Sequence, residues 1–149
     1  MKKNQVLFYL SLAVTSLVLY LLFTGSSVLL FKITESPYLP AGTPITWLGL
    51  IGFTAVFLFG FSRLKTTNSK ALKFCYTLFR IAFILAVLWL PLSIGLSGNL
   101  SNSFGEKLSF QGGQMAMKIF WINSYTPVLL PLTASIFYLI IKLIIKLRT

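Results

Sequence analysis

Long apolar runs alternate with short polar segments along the whole chain, and this alternation predicts the architecture. Apolar stretches cover residues 6–31, 45–64, 78–97 and 126–145, interrupted only by small polar residues such as Ser11, Thr15 and Ser16. About 20 residues at about 1.5 Å each cross a hydrocarbon core of about 30 Å, so each run is long enough to be a membrane-spanning helix. The first run follows Lys2 and Lys3 as a signal peptide would, but signal cores run about 7–15 residues and Val6 to Phe23 exceeds that. It is therefore read as a retained span. The expected fold is an all-α membrane protein of four transmembrane helices, with residues 1–149 forming a single integral membrane domain.

The segments between the runs carry the breakers. Residues 32–44 hold Pro37, Pro40 and Gly42, which mark a connector, and Pro44 suits the first turn of the second helix. Residues 98–118 form a second outer loop, rich in Gly, Ser and Asn up to Gly113. The aromatic stretch Gln114 to Ser124 either lies in the interface or begins the fourth helix. Pro127 is expected in that helix's first turn, and Pro91 interrupts the third span. Trp89, close to Pro91, is read as filling the gap beside it.

Charge fixes the orientation. Residues 65–77 form a short basic loop, and short Lys/Arg-rich loops stay cytoplasmic. Lys2 and Lys3, Arg63, Lys65, Lys70 and Lys73, and Lys142, Lys146 and Arg148 fall on this expected inner side, against Lys32, Lys107 and Lys118 outside. Both acids, Glu35 and Glu106, fall outside. The bias places both termini in the cytoplasm and argues against a dual-topology insertion. Tyr38, Trp47, Trp121 and Tyr125 fall at the expected outer boundary and Tyr76 at the inner one.

Composition narrows the class. The chain is 56% hydrophobic and only 10% charged, where soluble domains carry about 25% charged residues. The net charge of +11 would suggest nucleic acid in a soluble protein, but here the basic residues cap apolar segments, so topology explains them and nucleic acid is not an expected partner. His is absent and Cys75 is the sole cysteine, so the usual acid–base, metal and disulfide chemistry has almost no carriers. No catalytic, metal or cofactor residue is assigned and no enzyme is expected. The Lys-, Ile- and Phe-rich composition suggests a bacterial inner membrane, which makes the Asn99-Leu100-Ser101 sequon incidental.

Two sets of residues remain as candidates. The basic set is Arg63, Lys65, Lys70, Lys73, Arg80, Lys142, Lys146 and Arg148, expected to face anionic headgroups or a partner. Arg80 either snorkels to the phosphate level or is a buried functional charge. The packing set is Gly49, Gly52, Gly60, Ala82 and Ala86, whose small side chains let helices approach closely within the chain or between copies. The expected role is a non-catalytic membrane subunit, scaffold or sensor of a larger assembly, immunity and phage-defence roles included, with a protein partner or a second copy. The alternative is a small oligomeric channel or transporter; proton coupling is not expected, because no acid lies in any span.

Overall fold

The computed structural model describes residues 3–35, 38–99 and 112–148. Four helices in it are long and apolar enough to cross a membrane. They are α1 (Lys3–Phe23), α2 (Gly42–Gly60), α3 (Lys70–Ser97) and α4 (Gly113–Arg148). The C-terminal ends of α1, α2 and α3 are set by backbone bonding that hydropathy does not report.

The first apolar run does not stay helical to residue 31. Ser26 N–H donates to Leu21 C=O at 3.2 Å and Gly25 N–H to Leu22 C=O at 3.3 Å, the paired bonds of a Schellman stop. Gly25 supplies the left-handed backbone this requires, at φ 59°. A 3-10 turn, Ser27–Leu30, follows, with the Ser26 hydroxyl accepting from Val28 N–H. The connector is then an antiparallel hairpin of β1 (Lys32–Glu35) and β2 (Tyr38–Pro40), with a bulge between Lys32 and Thr34. Lys32 lies over the Tyr38 ring, 5.8 Å from its centroid.

Pro44 falls in the first turn of α2 as expected, but this helix stops at Gly60 rather than continuing to 64. Ser62–Thr66 is a 3-10 turn, and most of the segment expected as a loop over 65–77 is already α3. Lys, Ala, Leu and Phe are unobjectionable helix formers, so α3 starts well before its apolar part. It ends at Gly98, which is left-handed at φ 70° and donates to Ile94 C=O at 2.8 Å. Helix α4 is 36 residues long, about 54 Å at 1.5 Å per residue. Gln114 to Ser124 is its beginning, and Pro127 lies well inside it rather than in its first turn. The part of the expected outer loop from residue 100 to 111, with Glu106 and Lys107, lies outside the described residues, as does Lys2.

The helices run alternately up and down. Phe8 of α1 meets Gly60 of α2 while Val18 meets Gly49. Trp47 of α2 reaches Ala86 and Val87 of α3, and Phe57 and Phe61 stack on Phe79. Trp89 of α3 bonds Ser124 of α4, while Cys75 and Phe79 pack with Ala134. Helices α2, α3 and α4 form the packed body, and α1 lies principally on α2. Leu, Ile and Phe side chains such as Leu10, Leu17, Leu92, Leu129 and Ile136 cover the outside, the kind of exposed apolar surface that marks contact with lipid or another protein.

Candidate functional site

The antiparallel arrangement gathers charge at one end of the bundle. The first turn of α1, the 3-10 turn after α2, the start of α3 and the last turns of α4 all lie there. Lys3, Arg63, Lys65, Lys70, Lys73, Lys142 and Lys146 therefore share that end, and all are exposed. Glu35 and Lys32 belong to the hairpin at the opposite end.

The turn that carries Arg63 and Lys65 is anchored. Leu64 between them is buried and joins Cys75, Phe79 and Ala134 in one apolar cluster. Leu64 N–H donates to Phe61 C=O at 2.9 Å, and the Thr66 hydroxyl donates to Arg63 C=O at 3.1 Å. From α4, Tyr138 meets the Phe61 ring edge-on at 5.0 Å, and Lys142 lies 5.8 Å over Tyr138. The ring cluster Phe79, Phe61 and Tyr138 thus ties α4 to the turn, with Lys142 over its last ring. Arg148 closes α4, which runs unbroken to it. Arg80 follows the buried Phe79 and is itself exposed, on the outer surface of α3 and about 15 Å along the axis from Lys70.

The packing set divides between two contacts. Gly49, Gly52 and Gly60 form the groove into which α1 sits. A Cβ at Gly49 would lie 2.5 Å from Val18 Cγ1, at Gly52 2.9 Å from Thr15 Oγ1, and at Gly60 3.1 Å from the Phe8 ring. Ala82 and Ala86 belong to a buried stripe on α3 that runs Cys75, Phe79, Ala82, Ala86, Trp89, Ser93 and Ser97. On α4 the buried positions Ala116, Phe120, Pro127, Pro131 and Ala134 recur at similar three- and four-residue and seven-residue spacings. Such stripes are what small-residue helix contacts in membranes require.

Polar groups inside the bundle are mostly tied to backbone. Thr15, Thr54, Ser124 and Ser135 donate to the carbonyls one turn earlier, at 2.8–2.9 Å, a back-bond that lets a hydroxyl sit in an apolar span. Trp89 is buried as expected, yet its indole N–H goes across to Ser124 Oγ at 2.8 Å and its ring tilts against Phe120. The carbonyl orphaned by Pro91 is Val87 O, and Trp47 serves it, not Trp89. Trp47 is thus a helix-to-helix tie rather than only a boundary residue; the position four before the proline was the signal that could have found it. Thr46 Oγ1, Ser93 Oγ and Asn123 Nδ2 are buried with no partner among the described residues.

A cleft of about 440 Å³ opens at the basic end, between the first turns of α1 and the last turn of α2. Asn4, Gln5, Ser62 and Arg63 supply its polar wall. A smaller cavity of about 200 Å³ between α1, α2 and α4, lined by Val18, Leu22, Leu50, Phe53 and Val128, is almost wholly apolar. Among the described residues no group of His, Cys, Asp and Glu is placed to hold a metal ion.

These features define a class, a bundle of four antiparallel helices of membrane-spanning length with a cationic end. Comparison with protein-family models, with characterised proteins and with solved structures finds no match.

Proposed function

We propose that the protein is a non-catalytic polytopic subunit of a bacterial inner membrane, working as scaffold or sensor within a larger assembly. Both termini face the cytoplasm in this reading, which puts the cationic end of the bundle there. The observation that carries the proposal is the ordering of that end. Orientation needs only an excess of Lys and Arg, in any conformation. Here Arg63 and Lys65 flank a buried Leu64, and Lys142 is held over Tyr138, which packs on Phe61. An array of like charges gathered on a packed end is suited to steering an acidic partner to the membrane.

The channel alternative draws less support. Phe79, Ala82, Ala86 and Trp89 fill the α3 face within one copy, and many Ser and Thr hydroxyls are turned onto their own helices.

The test is a crosslinking pull-down from native membranes with wild type and a Lys65→Gln/Lys70→Gln variant. The variant should insert at wild-type levels and lose most of the captured partner, with wild-type capture falling as salt rises. Equal capture by both would reduce the basic turn to a topology signal.

A further inference from the structure

The cleft at the cationic end has a construction that the partner proposal does not use. Helix α2 ends at Gly60, which carries no side chain, and the chain turns away through Phe61 into the 3-10 turn. Phe8 of α1 covers Gly60 from the side, so a notch remains between the two helix ends. Its volume, about 440 Å³, lies in the range of about 300–1,000 Å³ typical of small-molecule sites. Asn4 and Gln5 bring amide groups from α1, Ser62 a hydroxyl and Arg63 a guanidinium from the turn. Among the described residues no acidic side chain lines the cleft beside Arg63. The other wall is aromatic, with Phe8, Tyr9 and Phe59, and the exposed Leu12, one turn beyond Phe8, continues that face along α1.

We propose that this cleft binds the phosphate of one anionic glycerophospholipid, with Arg63, Ser62 and Asn4 around the headgroup and the acyl chains running along α1. A guanidinium suits a phosphate by its fork of donors. The amphipathic lining, polar at the helix ends and aromatic toward the bundle's length, matches an amphiphile better than a free anion. The site shares Arg63 with the cationic array, while Lys65 and Lys70, the residues of the partner test, do not line it.

The experiment is native mass spectrometry and lipid titration of the purified full chain, using phosphatidylglycerol in phosphatidylcholine nanodiscs. Wild type should retain one phosphatidylglycerol selectively. Arg63→Gln should weaken that binding about tenfold, the order expected for losing a hydrogen bond to a charged group. Lys70→Gln makes the same charge change outside the cleft and should leave binding within about twofold, a residual expected of surface charge at ordinary salt. Asn4→Leu removes a donor and no charge, and should also weaken binding, which keeps the test decisive if Arg63→Gln misfolds. Equal losses in Arg63→Gln and Lys70→Gln would mean diffuse attraction and overturn the site. Displacement of the lipid by millimolar inorganic phosphate would overturn it too, by identifying a free-phosphate site instead.

Discussion

The indole N–H of Trp47 lies 3.1 Å from the carbonyl oxygen of Val87, the group that Pro91 leaves without its helical donor. The same N–H lies 3.1 Å from Ala86 C=O, so one side chain of α2 serves the break in α3. In an apolar medium an unserved carbonyl is costly, and the two residues act as one device. Trp47→Phe should destabilise the bundle by about 1–3 kcal/mol. Pro91→Ala restores a backbone donor to Val87, so the Trp47 substitution should cost less in that background. A double-mutant cycle read by thermal or detergent unfolding measures the coupling; a coupling of zero would separate the indole from the proline.

The Gly face of α2 should be intolerant in proportion to what each position touches. At Gly52 an added Cβ would meet Thr15 Oγ1 at 2.9 Å and the Ser11 carbonyl at 3.3 Å, and backbone does not yield. Gly52→Leu should therefore push α1 off α2 and cost about 1–3 kcal/mol or more. Gly95→Leu is the fitting control, since nothing lies within 4 Å of a Cβ there. Gly25 is unsuitable for that purpose, because its φ of +59° strains any side chain whatever the space. Melting temperatures of the two variants in one detergent decide the point, and equal values would refute the groove.

The helices were legible because each apolar run is long enough to span, and the gathering of charge at one end was legible because Lys and Arg cluster at the ends of those runs. Helix ends were not. Residues 24–31 read as continuous with α1, but a pair of hydrogen bonds around Gly25 stops it. Lys70 to Thr77 read as loop, yet hydropathy reports what prefers lipid and not where hydrogen bonding begins. Gly49, Gly52 and Gly60 stood out as a packing face, while α1 as the partner in their groove depends on tertiary placement. The cleft beside Arg63 was invisible for a similar reason. It needs Gly60 to end a helix and Asn4 to arrive from a distant part of the chain.

Cys75 should report the integrity of the α3–α4 contact. It is 1% exposed, in the cluster with Leu64, Phe79 and Ala134. A small permeant maleimide should label it slowly in the folded protein in mild detergent and quickly once denaturant opens the bundle. Ala134→Leu, which overfills a position that is 0% exposed, should raise the labelling rate before global unfolding. Fast labelling of untreated wild type would contradict the packing of that cluster.

The buried thiol also allows the orientation to be measured without first removing it. New cysteines at Lys70 and Lys146, both exposed at the cationic end, and at Lys32 in the hairpin give opposite ends of the bundle single reactive handles. With the cationic end cytoplasmic, an impermeant maleimide added to intact cells should label Lys32→Cys and spare Lys70→Cys and Lys146→Cys. Permeabilised cells should label all three. The antiparallel helices demand that Lys70→Cys and Lys146→Cys behave alike, because α3 begins where α4 ends. Labelling of both from outside would invert the protein in the membrane while preserving the fold, since Lys and Arg counts bias insertion rather than dictate it. Labelling of one alone would instead break the up-down arrangement, and with it the shared cationic end on which the partner proposal stands.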